Sequence, residues 1–180
     1  MAVRILYRVS QFWRSVTLKT EYYDLERAQE QLNPVQWELF SRLQPADRNH
    51  ALMVFHKLLD QGESQPDLLT AALLHDIGKL RYRLNPFERA MVVVISAWKP
   101  GWAKRLGVIP DQGWQSMPGW HKAFILAENH ADWGAEAARQ TGASELVEAL
   151  IRQHHGRQGS EVGDLEDSLL HRLWIVDNDS

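Results

Sequence analysis

The residues in this chain best equipped for chemistry are histidines and aspartates. His75 and Asp76 stand side by side in Ala71-Ala72-Leu73-Leu74-His75-Asp76-Ile77-Gly78-Lys79, at the end of an apolar run. His50, His130, His154, His155 and Asp177 are the other candidates, each within or at the end of a helically patterned segment. A lone helical histidine is usually a satisfied structural residue. Five of the eight histidines in such positions, one beside an aspartate and two adjacent to each other, are harder to explain by packing. The chain has no cysteine, so only nitrogen and oxygen donors are on offer. Imidazole with carboxylate suits divalent Fe, Mn, Zn, Co or Ni, and Mg, which prefers oxygen, is the remaining option. Successive residues on a helix diverge by about 100°. His75 and Asp76 therefore aim at two points, or at an ion in the wedge between them. A carboxylate bridging two ions, with a histidine on each side, satisfies that geometry, so one or two metal ions are expected.

The elements that must position these residues read as helices throughout. Pro66-Asp67 opens the apolar helix that delivers His75 and Asp76, and Gly78 is expected to stop it. A helix from Ala46 to about Asp60 carries His50, with Gly62 beyond its end. Asn33-Pro34 and Asn85-Pro86 are start signals, the second with Glu88 placed for a capping box ahead of Met91 to Trp98. Lys99 to Gly119 is rich in Pro, Gly and Trp and is expected to be a loop or broken helices. One helix from about His121 leads to His130, and a second from about Asp132 stops at Gly142. Ser144 caps a helix that reaches His154 and His155. After a loop over Gly156–Gly163, Asp164 opens a last helix with the stripe Leu165, Leu169, Leu173 and Val176. No segment has convincing strand character. The expected fold class is all-α, a compact helical bundle.

Bulk properties narrow the class. A chain of 180 residues is long enough to bury its own core as one domain. At 44% hydrophobic and 24% charged it has an ordinary globular composition, and a formal net charge of -3 gives no reason to expect a nucleic-acid polymer as partner. The lack of cysteine excludes disulfide frameworks and fits a reducing compartment. Arg4, Arg8 and Arg14 break up any signal-peptide core, and the apolar run Ala90 to Ala97 is far short of the ~20 residues that span a bilayer. A cytoplasmic location is expected. Met1 to Lys19 has an apolar stripe (Ile5, Val9, Phe12, Trp13, Val16) and only basic charges. Its simpler reading is a helix packed on its own domain, and its functional one a surface-lying membrane or partner helix. Five of the eight tryptophans lie between Trp98 and Trp133. For Trp98, Trp102, Trp114 and Trp120 packing is expected over a lid that stacks on a base or sugar.

In order, Arg48-Asn49-His50, Leu74-His75-Asp76-Ile77-Gly78-Lys79, Glu128-Asn129-His130, Gln153-His154-His155 and Val176-Asp177-Asn178-Asp179-Ser180 resemble the motifs of the HD-domain metal-dependent phosphohydrolase superfamily. The resemblance runs from about Pro45 to Ser180. It implies a bundle of the HD-domain type over 45–180 with a tryptophan-rich insertion at about 81–129, preceded by N-terminal helices in 1–44. It further implies that His50, His75, Asp76 and Asp177 hold one metal ion. His130, with His154, His155 or both, matches the ligands of a second ion bridged by Asp76, and Lys79 matches a lysine that contacts a substrate phosphate. Lys79 reads equally well as a helix C-terminal cation. His56 is a rival to His50, but the apolar pattern Leu52-Met53-Phe55 follows His50 as it does in the family. The stretch after His155 does not continue into the Gly-Tyr-Pro signature of the branch that cleaves cyclic di-GMP.

What the resemblance implies is hydrolysis of a small phosphate ester, a nucleotide foremost, by metal-activated water, with Asp76 orienting the nucleophile and Lys79, Arg81 or Arg83 offsetting charge. Two alternatives share the ligand set: a di-iron oxygenase acting on a small polyol or phosphonate, and a metal-bound signalling module without catalysis.

Overall fold

Five of the seven prolines open a helix. Proline lacks an N–H that the first turn has no use for, and its φ is already helical. The computed structural model describes residues 25–155 and 165–179, so the helix expected at Met1–Lys19, the loop at Gly156–Gly163 and the start at Asp164 lie outside the described residues. All regular structure among the described residues is helical: α1 Leu25–Gln31, α2 Pro34–Ser41, α3 Pro45–Asp60, α4 Pro66–Leu74, a 3-10 turn Ile77–Arg81, α5 Pro86–Trp98, α6 Pro100–Leu106, α7 Gly119–Gln140, α8 Glu145–Gln153 and α9 Leu165–Asn178.

The caps are those the residue types favour. Asn33 Oδ1 accepts from Val35 N and Gln36 N, and Gln36 Oε1 accepts from Asn33 N in return. Asn85 and Glu88 form the expected reciprocal box, with Glu88 N donating at 2.9 Å and Asn85 N at 3.0 Å. Gly62 and Gly142 follow α3 and α7 at φ 83° and 78°, where a side chain is strained.

Two expected boundaries move. Gly78 does not stop α4: the helix ends at Leu74, His75 keeps αR geometry, and the chain tightens into the 3-10 turn that contains Gly78. Such turns are a common way to use the unpaired carbonyls at a helix end. The two helices expected around His130 are one continuous helix, α7, because nothing at Ala131-Asp132 breaks the pattern.

The chain divides into two compact units, and the divisions fall within the 3-10 turn and within α7. One unit holds the described residues 25–78, 131–155 and 165–179. Its centre is α4, packed against by α1, α2, α3, α8 and α9. Every residue from Leu68 to Leu74 is buried. A helix buried on all sides must be almost wholly apolar, and over Leu68–Leu74 the one polar side chain, Thr70, accepts a hydrogen bond from Gln31 Nε2 at 2.8 Å. Leu169, Leu173 and Val176 form the buried stripe of α9, whereas Leu165, expected at its head, is exposed.

The described residues of the other unit, 79–130, contain α5, α6 and the first half of α7. Here α5 packs on α6, and Phe124, Ile125 and Leu126 are buried. Tyr82 donates its hydroxyl to Glu88 at 2.9 Å, and a Cβ at Gly119 would lie 2.8 Å from that hydroxyl. Of the four tryptophans expected to pack, Trp98, Trp102 and Trp120 are exposed, whereas Trp114 is half-buried. Short helices with a 12-residue irregular stretch between α6 and α7 provide too little core to cover them.

Candidate metal centre

Because α4 is enclosed, its C-terminal end delivers His75 and Asp76 into the interior. Both are buried, at 1% and 2% exposure. His50 comes from α3, Asp177 from the last turn of α9, and His154 caps α8. His50 Nε2 lies 2.7 Å from Asp177 Oδ1, although 127 positions separate the two residues. His75 Nε2 lies 3.5 Å from Asp177 Oδ1 and 3.5 Å from Asp76 Oδ2. The His75 ring meets His50 and His154 edge-on, with centroids 5.3 and 5.1 Å away. The result is two interlocking triads, His50/His75/Asp177 and His75/Asp76/His154. In each, one ligand atom per residue lies within 4.8 Å of the others.

No family model, curated protein or solved structure matches this chain. The reading of the centre therefore rests on its own chemistry.

That chemistry fits a divalent ion. His75 Nδ1 is 2.8 Å from Ala72 O, and His154 Nδ1 is 2.6 Å from Ile151 O. Both carbonyls lie three residues back at a helix end, where intrahelical partners run out. Each Nδ1–H donates to its carbonyl, which fixes the tautomer and leaves the Nε2 lone pair as the ligating atom. His75 Nε2 is fully buried and makes no hydrogen bond of normal length. A nitrogen so placed, opposite two carboxylates, needs a cation between them or a proton of its own.

The electrostatics agree. Burial pushes the His75 imidazole down, but the carboxylates of Asp76 and Asp177 more than reverse this and hold it at about 9. Burial pushes Asp177 up, yet the His50 hydrogen bond and the charges of His75, His50 and His154 keep it well below the usual carboxylate range. In the metal-free protein, protons thus offset the carboxylates where a cation could do so.

The remaining predicted residues are placed as follows. His155 is exposed and lies against His154, ring centroids 3.9 Å apart. His130 is buried at the end of the other unit, and its Nδ1 bonds Ala127 O at 2.9 Å, the same carbonyl device. Lys79 is the first described residue of that unit, half-buried in the 3-10 turn three residues after Asp76. His56, the rival of His50, lies against Phe55 and belongs to neither triad. His121 stacks on Trp120 and His171 on Trp174.

Sequence reasoning missed Gly134. A Cβ there would meet Gly78 N at 3.2 Å, Ile151 Cγ2 at 3.3 Å and His75 O at 3.4 Å. The missing side chain lets α7 approach the backbone that carries His75 and Asp76. The signal was a glycine inside a strong helical pattern, which costs about 1 kcal/mol against alanine and so calls for a packing reason.

Proposed function

We propose that the protein is a metal-dependent phosphohydrolase acting on a nucleotide or related small phosphate ester. The observation that carries the reading is the pair of His/Asp triads sharing the buried His75, in which the backbone bonds of His75 and His154 Nδ1 make Nε2 the atom each would offer to an ion. It is supported by His50, His75, Asp76, His154 and Asp177, residues of the motifs that resemble those of the HD-domain superfamily, which share the two triads although as many as 127 positions separate them. His50, His75, Asp76, His154 and Asp177 would hold the ion, which would supply Lewis acidity to a water and to the phosphoryl group. Asp76 orients the attacking water, and Lys79 offsets negative charge on the substrate phosphate. By the resemblance, a second ion would take His130 with His154, His155 or both.

The test is elemental analysis of purified protein, followed by a screen of phosphomonoesters, nucleotides and cyclic dinucleotides with and without oxygen. Phosphate release that requires metal but not oxygen supports the proposal. Bound iron with oxygen-dependent turnover of a polyol or phosphonate replaces it by an oxygenase. A metal-loaded protein inactive on every substrate class leaves a binding module.

A further inference from the structure

A net charge of -3 conceals a strong asymmetry. Residues 79–130 carry eight Lys and Arg against three acids, whereas residues 19–78 and 131–180 together carry nine against twenty. Between Glu88 and Asp111 there is no acidic residue, while Arg89, Lys99, Lys104 and Arg105 are all basic. The same stretch holds much of the exposed apolar surface. α5 is the apolar helix PFERAMVVVISAW, yet its one buried residue is Glu88. Phe87, Met91, Val94 and Trp98 recur at helical spacing along one face. Phe87 is 75% exposed, Trp98 61%, and Trp102 on α6 59%. Lys99 Nζ lies 4.6 Å from the Trp98 ring centroid and 5.3 Å from that of Trp102, so the cation and both indoles form one cluster. Val108 and Ile109 beyond α6 are exposed as well.

We propose that this face, the Phe87–Trp98 stripe of α5 with Lys99, Trp102 and Lys104 at its end, is a docking surface for an anionic phospholipid bilayer. An amphipathic helix of this kind lies in the interface plane, its apolar face among the acyl chains and its cations at the headgroups. Indoles favour that interface because one edge is apolar and the other polar. Lysines beside them keep their ammonium groups in water while their stems cover apolar surface. No helix among the described residues is long and apolar enough to cross a membrane, so the contact is peripheral. Nucleic acid also selects basic and aromatic residues, but it has no use for exposed Val94, Val108 and Ile109. Acyl chains do. The surface is independent of the metal centre and stands whatever the reaction proves to be.

The test is co-sedimentation of the full chain with phosphatidylcholine vesicles, with and without phosphatidylserine. Binding is expected only with phosphatidylserine, and it weakens as salt is raised. Trp98→Ser with Trp102→Ser is expected to lower partitioning more than tenfold, and Lys99→Ala or Lys104→Ala about fivefold each. These side chains are exposed, so melting temperature and metal binding stay as in the parent, and the lysine variants give the answer should the double tryptophan variant not fold. Several results overturn the proposal: no binding, equal binding to both vesicles, or variants that bind like the parent. So do a dimer that the tryptophan substitutions split, and preference for an oligonucleotide over vesicles.

Discussion

Replacing Gly134 with alanine separates two opposing effects at one position. In a helix interior the substitution stabilises by about 1 kcal/mol through backbone propensity. Here the new methyl meets Gly78 N at 3.2 Å, Ile151 Cγ2 at 3.3 Å and His75 O at 3.4 Å, each at or inside ordinary van der Waals range. Two of these are backbone atoms flanking Asp76 and cannot swing aside, so α7 or the 3-10 turn must move by a few tenths of an ångström. Overpacking of this kind costs about 1–3 kcal/mol. The balance is a loss of about 1 kcal/mol, a fall in Tm of about 2–4 °C for a chain of this size. The larger effect is on the centre. Ligand distances hold to about 0.2 Å, and the displaced backbone carries His75 and Asp76, with Ile151, whose carbonyl anchors His154, against the same methyl. Loss of such support typically costs about 10–100-fold in metal affinity. Calorimetry gives the Tm, and competition with a chromophoric chelator gives the affinity. A raised Tm with unchanged affinity refutes the claim that Gly134 lets α7 seat the His75–Gly78 turn.

Other predictions follow from the same centre. Asp76→Ala is expected to abolish metal binding and turnover together, read by elemental analysis and phosphate release; a variant that keeps both removes Asp76 from the site. Saturating metal at about 100 times Kd should add about 2.7 kcal/mol, a rise in Tm of about 5–11 °C that a chelator reverses. In metal-free protein His75 is raised from 6.5 to about 9, so the stability its protonated form contributes, about 3 kcal/mol, is complete below pH 6.5. It is lost as pH rises through 9, while lowered Asp177 works in the opposite sense, its contribution present above the usual carboxylate range and lost on acidification. Denaturant melts of metal-free protein across pH check this, and stability rising from pH 6.5 to 9 contradicts it. Metal must displace that proton, so affinity should climb about tenfold per pH unit over the same window, with proton release measurable by calorimetry in buffers of different ionisation enthalpy.

The helices were legible because their signals are local. Pro34, Pro66 and Pro86 at first positions, Asn33, Asn85 and Ser144 as caps, and Gly62 and Gly142 after helix ends each act within a turn. The candidate ligands were legible as residue types, and the structure brings His50, His75, Asp76, His154 and Asp177 together. What stayed hidden depends on contacts between distant segments. The 3-10 turn Ile77–Arg81, directly after His75 and Asp76, accompanies the approach of Gly134, more than 50 residues on. The exposure of Trp98 and Trp102 follows from how little core residues 79–130 supply, which no local pattern reveals. Average charge likewise masked the basic stretch between Glu88 and Asp111.

The most direct measurement is titration of metal-stripped protein with Co²⁺, followed by its visible absorption. Saturable binding with a spectrum of mixed nitrogen and oxygen ligation is expected, lost in His75→Ala and strongly weakened in Asp177→Ala. Absence of saturable binding, or binding indifferent to both substitutions, contradicts a metal centre at these residues.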